Sequence, residues 1–105
     1  MRLLENKLLG LLGLAQSASK LTVGEKAQAS IRAKQARLVL ISDLASQRTQ
    51  KQILNKCFYY QVAALVIKDF EKIAAAIGRS NIMYLAINDD GFAQAIKEIV
   101  NEEVR

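Results

Sequence analysis

The sequence predicts an α/β fold in which helices cover both faces of a sheet of about four strands. Helical and strand-like periodicities alternate along all 105 residues, which is typical of α/β sandwiches. Three short segments are largely apolar, as expected of strands buried on both faces: residues 37–42, 62–67 and 82–87. Residues 21–23 are a fourth, shorter strand candidate. The length favours a single domain that covers residues 1–105.

The remaining segments have the apolar spacing of amphipathic helices. They span residues 3–17, 25–33, 46–58, 69–78 and a final helix capped by Asp89 or Asp90. Gly78 lies where a glycine commonly follows the end of a helix. The predicted core face of the final helix consists of Phe92, Ile96, Val100 and Val104.

Composition excludes most catalytic and metal chemistry. The chain has no histidine, which removes His-assisted nucleophiles and His metal ligands. Its single cysteine, Cys57, allows no internal disulfide and no cysteine-rich zinc site, and we predict a buried structural thiol. Asp43 follows an apolar strand without a second carboxylate nearby in sequence, so it is interpreted as a turn or capping residue. We therefore expect a protein that is not an enzyme and that needs no metal and no cofactor.

The apolar amino-terminal segment does not predict a membrane protein. Residues 8–14 are leucine-rich, but no run approaches the roughly 18–20 apolar residues that span a bilayer. Glu5 lies where a signal peptide would be positive, so the segment is interpreted as part of a core-facing helix. We expect a cytoplasmic protein with no membrane partner.

Positive charge is concentrated in the first part of the chain. The formal net charge is +5, and residues 1–60 contain ten Lys or Arg residues but only three acidic residues. Residues 61–105 contain five basic and seven acidic residues. Such asymmetry favours a basic face that binds a polyanion, although small basic proteins without this function are common.

Gly24 lies between a strand candidate and a helix candidate, and a basic segment follows that helix. A glycine at a helix start lets backbone N–H groups face outward without a Cβ, and the helix dipole adds positive potential. This combination predicts a cradle for a phosphate or a nucleic-acid backbone. Two alternatives stay open: Gly24 as an ordinary turn glycine, and Glu25 as a first-turn carboxylate that stabilises the helix dipole.

Several other polar and aromatic residues also admit structural interpretations. Arg32 and Lys34 suit either phosphate contacts or a solvated helix end, whereas Arg37 begins a strand and is more consistent with a structural role. Arg48, Lys51 and Lys56 are interpreted as a solvated face. Tyr59 and Tyr60 lie between a helix and an apolar strand, so we expect them to pack in the core or at its rim.

Several blocks resemble a known family when they are taken together in order and spacing. They are residues 11–15, Gly24-Glu25, residues 36–46, residues 55–60, residues 76–79 and residues 90–93. The blocks cover nearly the whole chain, and they resemble the ribosomal protein L-seven-Ae/L-thirty-e family, most closely its bacterial YlxQ-like branch. The resemblance implies a three-layer α-β-α sandwich with a mixed sheet of about four strands and about five helices. It also implies binding of kink-turn RNA.

The resemblance assigns roles to two segments of this chain. Gly24 is placed as the loop glycine that permits close backbone approach, with Glu25 and Lys26 facing guanine edges and phosphates. Arg32 and Lys34 are placed on the RNA backbone, and a second loop covers a flipped-out nucleotide. The complete predicted RNA-binding set is Lys20, Gly24, Glu25, Lys26, Gln28, Arg32, Lys34, Ile77, Gly78, Arg79 and Ser80.

One position departs from the family pattern. Relatives carry a lysine on the RNA-facing side of the second helix, and here Ala29 or Ser30 occupies that place.

The favoured hypothesis is a monomeric, non-catalytic, ribosome-associated RNA-binding protein that binds a kink-turn in ribosomal RNA or in another bacterial RNA. One alternative is a protein-interaction adaptor of the same fold that uses the acidic final helix, with Glu98, Glu102 and Glu103. A small phosphate- or nucleotide-binding α/β enzyme is a weaker alternative, because the chain lacks a GxxxxGK[ST] motif.

Overall fold

Helices and strands alternate along the chain in a computed structural model that describes the backbone of residues 2–103 and the side chains of residues 5–101. The helices are α1 (Arg2–Ser17), α2 (Gly24–Arg32), α3 (Gln47–Tyr59), α4 (Phe70–Ala76) and α5 (Asp90–Glu103). The strands are β1 (Leu21–Val23), β2 (Leu38–Ser42), β3 (Ala63–Ile67) and β4 (Tyr84–Ile87). The predicted core role of Val104 and the side chains of Glu102 and Glu103 fall outside the described residues.

The four strands form one mixed sheet in the order β1-β4-β2-β3. β4 pairs antiparallel with both β1 and β2, and β2 pairs parallel with β3. β1, β2 and β3 therefore run in one direction, and β4 runs against them. The predicted fold class, an α/β sandwich with a mixed sheet, is confirmed.

Alternation along the central strands divides the core between the two faces of the sheet. Leu38 and Leu40 face a cluster that includes α1, α4 and α5. Val39 and Ile41 face a second cluster formed with α2 and α3. Because all five residues of β2 are buried, this strand lies at the centre of three layers, with helices on both sides.

The prediction that β3 is buried on both faces is wrong. Within residues 2–103, β3 pairs only with β2, so it is an edge strand, and Ala63 and Val66 are exposed. Its apolar composition reflects the helices above and below it rather than a central position. Whether a strand lies at the edge or at the centre of a sheet depends on the strand order, and a local apolar run does not encode that order.

The carboxyl end of α3 also differs from the prediction. Ile53 and Cys57 are buried one helical turn apart, whereas Phe58 and Tyr59 are 86% and 77% exposed. Tyr59 therefore does not pack in the core, and the two rings lie on the outside of the molecule.

Four helices end with the same hydrogen-bond pattern. In α4 the Gly78 N–H donates to the Ala75 carbonyl at 3.1 Å and the Arg79 N–H donates to the Ala74 carbonyl at 2.8 Å, which is the Schellman arrangement. The residue in the left-handed conformation is Gly78 after α4, but it is Ser19, Lys34 and Gln61 after α1, α2 and α3.

No helix within residues 2–103 is both long enough and apolar enough to cross a bilayer.

Candidate nucleic-acid interface

The first half of the candidate site lies at the edge of the sheet where β1 and β2 end. Val23 pairs with Leu85 and Ile41 pairs with Tyr84, so α2 begins beside the start of β4. The Ser42 N–H donates to the Met83 carbonyl at 2.7 Å. We call the surface formed by residues 24–28 and 77–83 the Gly24 edge.

Gly24 has a left-handed backbone conformation. Its φ is +59°, and a Cβ built there would meet no atom within 4 Å. The glycine is therefore required by its backbone angle and not by crowding from this chain. Val23 precedes it in extended conformation and supplies no side-chain cap, so no side chain at the cap position covers the amino terminus of α2. Backbone N–H groups there are available to an anion.

The residues after Gly24 alternate between solvent and core as a short helix requires. Glu25 and Lys26 are exposed, and Ala27 is buried. Ser30 is 5% exposed and its hydroxyl donates to the Ala27 carbonyl at 2.8 Å. Ala29 is exposed, so it is the small residue on the surface at the position where the resemblance places a lysine.

A lysine from the next helix contacts this surface instead. The Lys56 ammonium donates to Oε1 of Gln28 at 2.7 Å, and Nε2 of Gln28 donates to the Tyr84 hydroxyl at 2.7 Å. All three residues are half-buried. The chain of contacts orients the Gln28 amide and places a cation between α2 and α3. Sequence reasoning missed Lys56 because its partner lies 28 residues away along the chain.

The second loop divides into a buried and an exposed part. Ile77 is 4% exposed and belongs to the core, so its side chain is not available to a ligand. Gly78 has φ +71° and ends α4, as predicted. Arg79 and Ser80 are exposed, as are Asn81 and Met83 in the same loop, so these side chains are accessible to a ligand.

The other predicted basic residues lie at the opposite edge of the sheet. The Asn88 N–H donates to the Lys20 carbonyl at 2.8 Å, and the Arg37 N–H donates to the Ile87 carbonyl at 2.7 Å. Arg32 ends α2 and Lys34 follows it just before β2 begins at this edge, so Arg32 lies about 12 Å along the helix from Gly24. The predicted set therefore forms two separate groups, and we call this second surface the Lys20 edge.

Arg37 has the structural role that its position suggested. Its Nε lies 3.2 Å from Oδ1 of Asp90, and Nη1 donates to the Lys34 carbonyl at 3.2 Å. These contacts join the start of β2 to the start of α5, although both side chains remain exposed enough for water to screen the ion pair.

Charge is segregated between the two outer layers of the sandwich. The layer formed by α2 and α3 carries Lys26, Arg32, Arg48, Lys51 and Lys56, with Glu25 as the acidic residue of its two helices. The opposite layer also carries basic residues, such as Lys7, Lys72 and Lys97, but it contains most of the acidic helical residues, including Glu5, Glu71 and Glu98. A polyanion is therefore attracted to the α2 and α3 side.

The described residues offer no arrangement for metal or thiol chemistry. Within that part of the chain, no group of three or more His, Cys, Asp or Glu residues could hold a metal ion. Cys57 is 1% exposed. Burial raises the pKa of its thiol to about 11, an effect that the nearby Lys56 ammonium only partly offsets. The thiol is therefore protonated at neutral pH and does not act as a nucleophile.

Solved structures identify the fold class to which this arrangement belongs. A protein of unknown function from Bacillus halodurans C matches with a TM-score of 0.84 and 31% identity, over 90% of this chain and 97% of that chain. A Giardia lamblia 15.5kD RNA binding protein matches with a TM-score of 0.73 and 21% identity, over 94% of this chain and 86% of that chain. The second match, at its low identity, shows a shared fold.

Sequence relatives identify the family. A protein from Enterococcus faecium named RNA-binding protein YlxQ is 35% identical over 95 residues, which cover 90% of this chain and 91% of the relative. A Bacillus subtilis (strain 168) protein of the same name is 34% identical over 92 residues, which cover 87% and 92%. No family model matches the chain. Identity at this level over most of both chains shows that the protein belongs to the YlxQ family, as the sequence blocks predicted.

Proposed function

We propose that this protein is a non-catalytic, cytoplasmic RNA-binding protein that recognises a kink-turn or a similarly bent RNA at the Gly24 edge. The observation that carries the proposal is the left-handed Gly24 at the open start of α2, with φ +59° and no atom within 4 Å of a built Cβ. The names of the two YlxQ relatives support RNA as the ligand.

The chemistry of the site suits capture of RNA by shape. A sharp bend brings phosphates of two helical segments close together, and the first-turn N–H groups of α2 and the Lys26 ammonium can neutralise them. The Glu25 carboxylate accepts hydrogen bonds from the N–H groups of exposed guanine edges. Lys56, positioned by Gln28, adds a cation beside α2.

The loop after α4 supplies the second contact. Arg79 and Ser80 are exposed in the loop that leads from α4 to the start of β4, where the Ser42 N–H contacts the Met83 carbonyl. In this proposal they close over a nucleotide that the bend forces out of the stack. Gly78 permits the chain to turn into that loop through its φ of +71°.

In this proposal the partner is a kink-turn in ribosomal RNA or in another bacterial RNA, and the protein acts as a monomer. Phosphate contacts make such binding strongly salt-dependent, because each neutralised phosphate releases counterions. Co-sedimentation with ribosomal particles at low salt, lost at high salt, is the expected behaviour.

A direct test compares a kink-turn RNA with the same RNA whose G·A pairs are replaced by Watson–Crick pairs, at two salt concentrations. We expect a preference for the intact motif at both. Lys26→Ala reduces the affinity, whereas Lys97→Ala on α5, in the opposite layer, serves as the matched control and leaves it unchanged. Equal binding to both RNAs contradicts recognition of the bend, and binding to neither favours the adaptor alternative.

A further inference from the structure

We propose that the outer face of α3 is a second RNA surface, which binds a single-stranded segment continuous with the bent RNA. This α3 surface consists of Arg48, Lys51, Asn55, Phe58 and Tyr59. The proposal deepens the proposed function and rests on it for the identity of the RNA, but the experiment below separates the two.

The residues of the α3 surface share one side of the helix. Arg48, Lys51 and Asn55 are spaced by three and four residues, which places them along one exposed stripe. Ile53 and Cys57 occupy the opposite side, where they are buried against the sheet. The stripe ends at Phe58 and Tyr59, about 16 Å along the helix axis from Arg48.

The charge of this surface is uncompensated. The sequence of α3 contains Arg48, Lys51 and Lys56 but no acidic residue. Among the side chains that the structure describes, the salt bridges are Arg37 with Asp90 and Lys72 with Glu5, so neither Arg48 nor Lys51 forms an ion pair there. Because these cations form no ion pair there, they attract a polyanion. A nucleic acid is therefore favoured as the partner over a protein with few acidic residues.

The two aromatic rings supply the other half of the chemistry. Phe58 is 86% exposed and Tyr59 is 77% exposed, so two neighbouring rings are accessible to a ligand at the end of the stripe. Tyr59 packs edge-to-face with Tyr60, with centroids 4.8 Å apart and an interplanar angle of 81°, so its orientation is constrained before binding. Cations followed by an exposed, oriented aromatic ring are the combination that binds single strands, through phosphates and base stacking.

The position of α3 explains why the strand would be continuous with the bent RNA. The helix begins just after β2 ends at the Gly24 edge and finishes just before β3 starts at the Lys20 edge. A strand that leaves the first site can therefore follow α3 and stack its bases on Phe58 or Tyr59. Lys20, Arg32 and Lys34 lie at that far edge, where they add positive potential.

The test measures how much a single-stranded tail adds to binding. The kink-turn RNA is prepared with and without an unpaired uridine tail of about 12 nucleotides, a typical single-strand site size. For the wild-type protein we expect the tail to raise affinity about tenfold, within the range that stacking of one or two bases supplies. In the variants F58S/Y59S and R48Q/K51Q the gain falls to less than about threefold, and F58S/Y59S leaves the affinity for the tail-free RNA unchanged.

The matched control is the double variant K7Q/L14S on α1. Lys7 and Leu14 are exposed and lie two helical turns apart on the opposite layer, so this variant removes one cation and one apolar side chain without touching α3. It should retain the full gain from the tail. All substituted positions are exposed, and far-ultraviolet circular dichroism and thermal melting verify that each variant folds.

The outcomes separate the second surface from the first site. If the tail adds no affinity to the wild-type protein, or if the α3 variants keep the gain, the second surface is refuted whether or not the kink-turn binds. If the kink-turn RNA does not bind but a free uridine oligonucleotide does, and F58S/Y59S abolishes that binding, the proposed function fails and the α3 surface stands.

Discussion

The Lys56 ammonium lies 2.7 Å from Oε1 of Gln28, and this contact joins α3 to α2 beside the candidate site. Gln28 in turn donates to the Tyr84 hydroxyl at the start of β4. One amide thus connects two helices and the sheet. It also orients a cation whose partner here is neutral, so the positive charge remains available to a phosphate.

Replacing Gln28 with leucine should weaken both stability and RNA binding. The half-buried Lys56 ammonium and Tyr84 hydroxyl lose this partner, at a cost of about 1 kcal/mol. We expect a several-fold loss of kink-turn affinity, because Lys56 is no longer positioned. Tyr84→Phe, which leaves the Gln28–Lys56 contact in place, should affect RNA binding less.

A double-mutant cycle checks that interpretation. Denaturant melts of Gln28→Leu, Lys56→Met and the double variant should reveal a coupling of at least about 0.5 kcal/mol. Additive effects would mean that the hydrogen bond contributes nothing to stability.

Gly24→Ala should reduce stability and RNA affinity together. Gly24 has φ +59°, and an L-residue in the left-handed region loses about 1 kcal/mol. The added Cβ also projects into the space that an RNA backbone would occupy. Gly10→Ala in α1 is the matched control, because its Cβ likewise meets no atom within 4 Å but its helical backbone favours alanine. The Gly10→Ala variant should be more stable than wild type and should bind RNA with wild-type affinity. If Gly24→Ala binds RNA as tightly as wild type, well below its melting temperature, the RNA does not approach the backbone at Gly24 closely.

Lys26 and Arg32 should differ in their contribution to kink-turn binding although both lie on α2. Lys26 is in the first turn at the Gly24 edge, and Arg32 ends the helix near the Lys20 edge. Lys26→Glu should therefore reduce affinity for a tail-free kink-turn RNA much more than Arg32→Glu does. Titrations at several salt concentrations should also show a smaller salt slope for Lys26→Ala. Equal losses from the two charge reversals would indicate a long-range effect of net charge.

The sequence predicted the helices and strands better than it predicted which of them lie beside one another in the fold. Apolar runs located β2 and β4, and Gly78 adopts the positive φ angle expected of a glycine that follows a helix. The edge position of β3 was missed because strand order depends on pairing between distant segments. The cluster of Lys20, Lys26 and Arg32 looked continuous along the chain, but Lys26 lies at the Gly24 edge, where α2 begins, whereas Lys20 and Arg32 lie at the opposite edge.

Side-chain contacts between residues that are distant in sequence could not be predicted either. The Gln28–Lys56 contact bridges two helices, and no local pattern encodes it. The exposure of Tyr59 was also missed, because an aromatic residue before an apolar strand usually packs inward. Such residues are candidates for function because their environment departs from what composition favours.

Helix termination offers a stability prediction that does not depend on RNA. Gln61 follows α3 with φ +59°, as Gly78 follows α4 with φ +71°. Gln61→Gly should stabilise the protein by up to about 1 kcal/mol, and Gly78→Ala should destabilise it by a similar amount. For a domain of this size that corresponds to opposite shifts of about 4–8 °C in Tm. Shifts of the same sign in calorimetric melts would contradict the assigned backbone conformations.

Burial of Cys57 predicts a pH dependence that is absent from a variant without the thiol. Its pKa rises from 9.0 to about 11 in the folded protein, so the folded state favours the protonated thiol. A raised folded pKa contributes stability that is fully present below pH 9 and is lost as the pH approaches 11. The difference in unfolding free energy between wild type and Cys57→Ala should therefore be constant near neutral pH and decrease across that alkaline range. The comparison cancels the titration of tyrosines and lysines, which both proteins share.

The same burial predicts slow labelling of Cys57. In the folded protein at neutral pH a thiol reagent should react slowly, because Cys57 is 1% exposed. Rapid labelling, or a difference in unfolding free energy that is flat through pH 11, would show that the thiol is accessible.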